Sequence, residues 1–263
     1  MTGLIDRLRQ SLAPTPSDEE KMRLADSATR QGDYDAALAL WGPLAQQGHA
    51  GAQTRVGLCF AAGLGVDRDP AIAARWFMLA AEAGDAAGQR QLAHACFRGE
   101  GIPEDPTRAA ELYRRAADQG DAEAMDMLSW MLTEGEILPP DPAQARYLAK
   151  AAADLGNAAA MTRLGMIHHN ALGVDRDPTL AAQWWQRAAD LGNGDAQAML
   201  GAAMLIGAGV ACDPFMAFVW LLRGHAAGSP LAYPFLTRAA AALSLEEQGR
   251  ARRLAATPPG VVS

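Results

Sequence analysis

Apolar residues return along most of this chain with helical spacing, and the pattern itself returns every 36 residues. An apolar position recurs at Val56, Leu92, Leu128, Leu164 and Leu200, and a bulkier one at Trp76, Leu112, Leu148, Trp184 and Trp220. Small residues alternate with them: Gly57, Ala93, Ser129, Gly165 and Gly201 on one stretch, then Ala80-Ala81, Ala116-Ala117, Ala152-Ala153 and Ala188-Ala189. The spacing predicts two helices per unit, the first near 50–62 and the second near 70–83, with equivalents one period on. Small faces let neighbouring helices approach closely. No unit buries its apolar face alone, so the units must stack.

Polar residues punctuate the units. The pair Asp-Pro stands at Asp69-Pro70, Asp105-Pro106, Asp141-Pro142, Asp177-Pro178 and Asp213-Pro214. Asp there is an N-cap and Pro suits the first helical position. Gly48, Gly84, Gly120, Gly156, Gly192 and Gly228 end the second helices, where a left-handed residue is needed. Asp85, Asp121, Asn157, Asn193 and Ser229 follow as caps of the next helix. Paired glycines such as Gly63 and Gly65 form the turn inside each unit. Two turns depart from this. Ile137 replaces the second glycine of unit three, which must turn differently, and Ala171 replaces the first glycine of unit four.

Both ends change character. Residues 17–49 read as a capping helix pair opened by the capping box Ser17–Glu20. Residues 50–229 hold five units, and 230–256 form a second capping pair with a box at Ser244–Glu247. The total is about fourteen helices, followed by a tail at 257–263. Residues 1–16 form an amphipathic extension, with Leu4, Ile5, Leu8 and Leu12 on one face before Pro14 and Pro16. That extension reads as a lid on the first unit, as an interaction or membrane-surface helix, or as disorder.

Composition narrows the function. The chain carries 23 basic and 30 acidic residues, a net charge of −7, which argues against duplex nucleic-acid binding. No apolar run approaches a membrane span, and the N-terminus has no secretory signal. With three scattered cysteines, Cys59, Cys96 and Cys212, a reducing cytoplasmic setting is expected.

The unit Ala-x-Ala-Gln-x-x-Leu-Gly-x-x-(aromatic)-x-x-Gly-x-Gly-Val, then Asp-x-x-x-Ala-x-x-Trp-x-x-x-Ala-Ala-x-x-Gly, resembles the Sel-one-like repeat, a relative of the tetratricopeptide repeat. Residues 50–84 carry the pattern at Gln53, Gly57, Phe60, Gly63, Gly65, Val66, Asp69, Ala73, Trp76, Ala80, Ala81 and Gly84. The resemblance implies an all-α fold, an α/α right-handed superhelical solenoid of helix-turn-helix repeats. It implies a non-catalytic scaffold or adaptor that binds a partner protein segment in a concave groove lined by the first helices. A regulator, inhibitor or immunity protein docking by the convex face or an end is the alternative. The groove positions are set from the repeated Leu. Two before it stand Thr54, Arg90, Asp126, Thr162 and Ala198; two after it stand Leu58, His94, Trp130, Met166 and Ala202. Five and six after it come Phe97 and His169, and Arg98 and Glu134. The expected partner-binding residues are Arg90, His94, Phe97, Arg98, Asp126, Trp130, Met166 and His169, with Phe97, Trp130, His94 and Arg98 at the centre. Arg90 with Asp126, and Arg98 with Glu134, are alternatively ion pairs between adjacent units.

Other chemistry finds little support. His168 and His169 diverge by about 100° on a helix and do not readily share one metal ion; His168 falls in an aromatic core slot. The Gly-x-Gly sequences lie between helices, without the following Lys-Ser/Thr of a phosphate loop. No hydrolase, zinc-protease or Cys-x-x-Cys motif is present. No cofactor, metal or catalytic residue is expected.

Overall fold

In the computed structural model, residues 16–257 are described; the predicted N-terminal extension up to residue 15 and the tail from 258 lie outside them. The described residues form fourteen α-helices, one short 3₁₀ turn and no strand. The helices are α1 (Asp18–Arg30), α2 (Tyr34–Gln46), α3 (Ala50–Ala62), α4 (Pro70–Glu82), α5 (Ala86–Arg98), α6 (Pro106–Ala117) and α7 (Ala122–Glu134). They continue with α8 (Pro142–Asp154), α9 (Ala158–His169), α10 (Pro178–Asp190), α11 (Gly194–Ile206), α12 (Pro214–Ala226), α13 (Tyr233–Ala241) and α14 (Leu245–Ala255). The described residues fall into two compact units that divide after Ala116, near the end of α6.

The capping residues act as their types require. Asp69 accepts bonds from the Ala71 and Ile72 amides, and Asp141, Asp177 and Asp213 each cap the amide three residues on. Asp85, Asn157 and Asn193 do the same for α5, α9 and α11. Both terminal capping boxes are closed. The first helices α3, α5, α7 and α11 end on left-handed glycines, with φ of 72° at Gly63. In unit four Ala171 takes this conformation at φ 58°, alone among the described non-glycine residues. Ile137 does not take it, so the third turn differs, as its sequence demands.

In the first compact unit, Trp41, Leu44, Val56 and Cys59 form a core with alanines of α1–α3. In the second, Trp184, Trp185, Leu164, Ile167, Leu200 and Trp220 pack across α9–α12. Phe218, Val219 and Leu221 carry that core on to α13 and α14. Size is matched at a spacing of 20 residues. Opposite the small residues Gly57, Gly165 and Gly201 stand Phe77, Trp185 and Leu221. A Cβ at Gly57, Gly165 or Gly201 would collide with its partner side chain. In unit three both members are small, Ser129 and Ala149, and the Ser129 hydroxyl bonds the Ala145 carbonyl of α8 at 2.7 Å.

The second turn glycines lean on the preceding repeat. Gly101 lies against the Pro70 carbonyl, Gly209 against the Pro178 carbonyl, Gly173 against the Pro142 ring and Gly65 against Tyr34. Side-chain amides add ties: Gln53 to Ala45 O, and Gln197 to Ala189 O. The three cysteines are free.

Candidate protein-interaction surface

The four rows of first-helix positions do not share one environment. In the row two before the repeated Leu, Thr54, Asp126 and Thr162 are spent on the next repeat. Thr54 donates to Asp85 at 2.7 Å, and Thr162 to Asn193 at 3.1 Å, so each threonine grips the cap of the following first helix. Asp126 is buried, with both carboxylate oxygens on the Arg163 guanidinium at 2.7 and 3.2 Å. Asp126 was expected on the groove floor. It lies instead in the seam between α7 and α9, and its carboxylate is engaged by Arg163. Arg163 precedes the repeated Leu164 and was not among the expected site residues. Its one signal was a charged residue in a position held by Val56-flanking Arg55, which in turn pairs with Asp26.

The row two after the Leu is accessible except at Ala202. In the second compact unit Trp130 is half-buried, Met166 is 37% exposed and Ala202 is buried. Six after the Leu, Glu134, Asn170 and Ile206 are exposed, Ile206 by 56%. In the first compact unit, Leu58 and Arg98 are exposed, and Arg90, His94 and Phe97 are half-buried along α5. His94 lines a cavity of about 170 Å³ with Phe77 and Gln91. Burial pushes its imidazole pKa down from 6.5, helped by the positive Arg98 and Arg90 and opposed by Glu100.

The two adjacent histidines part company, as the 100° helical turn requires. His169 turns toward Trp185, with ring centroids 5.3 Å apart and a buried Nδ1. Trp185 in turn donates its indole N–H to the Thr162 carbonyl at 3.2 Å. His169 therefore braces the core. His168, expected in a core slot, is half-buried beside Leu164 and Trp184. Burial lowers the pKa of both rings. Among the described residues no group of three or more His, Cys, Asp or Glu side chains is placed to hold a metal ion, and no helix is long and apolar enough to cross a membrane.

The repeat seams decide the family. The sequence model of the Sel1 repeat matches residues 50–85, 86–121, 122–157, 158–193 and 194–229. The chain belongs to the Sel1 repeat family. Sel1 repeats mediate protein–protein interaction, and the exposed rows of this Sel1 repeat protein are the surface left over once stacking is satisfied. A solved Sel1 repeat protein from Oxalobacter formigenes matches 92% of this chain and 98% of its own, with a TM-score of 0.78 and 24% identity. The immunity protein Pa5087 from Pseudomonas aeruginosa matches 80% of this chain and 83% of its own, with a TM-score of 0.52 and 20% identity. At such identity these likenesses speak for the Sel1 fold alone. No curated protein sequence matches the chain.

Proposed function

We propose that this Sel1 repeat protein is a non-catalytic adaptor that holds a partner protein segment on its first-helix face. The observation that carries this reading is an exposed apolar pair in the second compact unit, Met166 and Ile206, on rows that stacking does not use. Trp130 of α7, half-buried on the row of Met166, supplies an aromatic edge of the kind that anchors partner segments. In the first compact unit, taken by itself, His94 and Arg98 of α5 hold the corresponding repeat positions, beside Arg90 and Phe97, and are assigned to contact a partner there. Asp126 and His169 act as supports beneath it rather than as contacts. The test is affinity capture from the native host with full-length protein and with Met166→Asp, read by mass spectrometry. A partner that binds the wild type and is lost from the variant supports the assignment; undiminished capture by the variant overturns it.

A second reading is an inhibitor or immunity protein of a partner enzyme or toxin; the immunity protein Pa5087 shares this fold. It calls for capture of an enzyme whose activity falls on binding.

A further inference from the structure

The second compact unit carries a groove on the opposite side of α9 from Met166, between the second helices α8 and α10. Arg146, Tyr147 and Lys150 form one wall, Leu164 and His168 the floor, and Trp184 with Leu180 the other wall, around about 570 Å³. Binding pockets commonly enclose roughly 300–1,000 Å³.

Two of these residues break the repeat. At the position of Arg146 the other units place Ala74, Ala110, Ala182 and Phe218, all buried. At the position of His168 they place Phe60, Cys96, Leu132 and Met204. Stacking thus asks for an apolar residue at both positions, and both polar replacements face one groove. Lys150 adds a cation where the following unit has Gln186, and the Arg187 guanidinium lies 4.3 Å over the Trp184 ring. Tyr147 is 72% exposed at the rim.

No carboxylate lines the groove, although the chain as a whole is acidic. Two acids close to its lining residues are otherwise engaged. Asp177 caps the Leu180 amide, and Asp154 pairs with Lys150 at the surface, where both side chains are more than half exposed. Such an exposed pair yields readily to a better-placed carboxylate. Apolar walls under a cationic rim complement a ligand of opposite pattern.

We propose that this groove docks a partner protein segment that presents a bulky apolar side chain flanked by carboxylates. The apolar group sits over Leu164 and Leu180 against Trp184, and the carboxylates reach Arg146 and Lys150.

The test uses the full chain and a labelled peptide alternating glutamate with phenylalanine and leucine, with a lysine-for-glutamate peptide as control, read by fluorescence anisotropy. The double variant Arg146→Ala/Lys150→Gln installs residues the protein itself uses in the next unit, so its fold is kept; thermal unfolding checks this. The wild type binds the acidic peptide and not the basic one, the double variant binds it at least about tenfold more weakly, and Met166→Asp binds it as the wild type does. Four results overturn the proposal: no binding to the wild type, equal binding of the basic peptide, unchanged affinity in the double variant, or loss in Met166→Asp. Two further outcomes replace the occupant and also overturn it. One is binding to phosphatidylglycerol vesicles with the same dependence on Arg146 and Lys150. The other is self-association of the wild type that the double variant abolishes.

Discussion

Gly165 of α9 lies against the Trp185 indole of α10, so close that a methyl group at 165 would fall inside the ring's van der Waals envelope. Trp185 is held there by its bond to the Thr162 carbonyl, one helical turn back on α9. Neither residue has room to move. Gly165→Ala should therefore destabilise the protein by about 1–3 kcal/mol through overpacking, despite alanine's better helix propensity. Urea denaturation checks this. Combined with Trp185→Leu, the alanine should cost less than it does alone, since a smaller partner leaves space for the methyl group.

The Asp126–Arg163 pair is shielded, with side chains 8% and 20% exposed, whereas Asp26–Arg55 has both at 37%. Geometry is otherwise similar. Asp126→Ala should cost about 2–3 kcal/mol, because it strands a half-buried guanidinium. Asp26→Ala should cost less than about 1 kcal/mol. Equal losses in chemical denaturation would show that burial does not set the strength of these ties.

Ala171 bears a left-handed backbone that its neighbours assign to glycine. Ala171→Gly should raise stability by about 0.5–1 kcal/mol, the relief of strain outweighing the added freedom of the unfolded chain. A rise in melting temperature is the expected reading.

Gly192 and Gly209 both have positive φ, 86° and 73°, but only Gly209 faces an obstacle, the Pro178 carbonyl. Gly192→Ala should cost about 1 kcal/mol for its conformation. Gly209→Ala should cost at least ~1 kcal/mol beyond that, because the helix start behind it is backbone and cannot rotate away. Side-by-side thermal melts decide.

Acid should weaken the fold through its histidines. Burial lowers the pKa of His94, His168 and His169 below their ordinary 6.5. The unfolded chain then takes up protons before the folded one does. Their contribution is complete above pH 6.5 and is lost as pH falls from there through the folded values. The urea midpoint should drop between about pH 7 and pH 5.5, and His94→Gln should flatten the slope.

How legible these features were depends on how local their causes are. Helix starts at Asp69-Pro70 or Ser244 follow from one carboxylate or hydroxyl and the amides just beyond it, so their positions could be read directly. The size match was legible only by half: glycine and alanine were seen to bring helices together, but which bulky residue fills each space depends on a crossing the sequence does not state. The same holds for the surface. Repeat position marked Asp126 as outward, yet the neighbouring helix covers it, and its partner Arg163 sits 37 residues away. His168 and His169 were separated correctly by helical angle, but the burial of each was set by Trp184 and Trp185 on another helix. Arg146 was not noticed at all. Its signal was present in the aligned units, as one cation in a column of alanines and a phenylalanine.

The turn glycines give the array a polarity. Gly65, Gly101, Gly173 and Gly209 each rest on a helix start from the repeat before them. A repeat added at the C-terminal end finds its seat already built, whereas one cut from the N-terminal end takes away the seat of its successor. Shortening this protein from its two ends is thus not equivalent. Loss of trailing helices leaves every earlier turn supported, while loss of leading helices leaves the first remaining turn without the support it leans on.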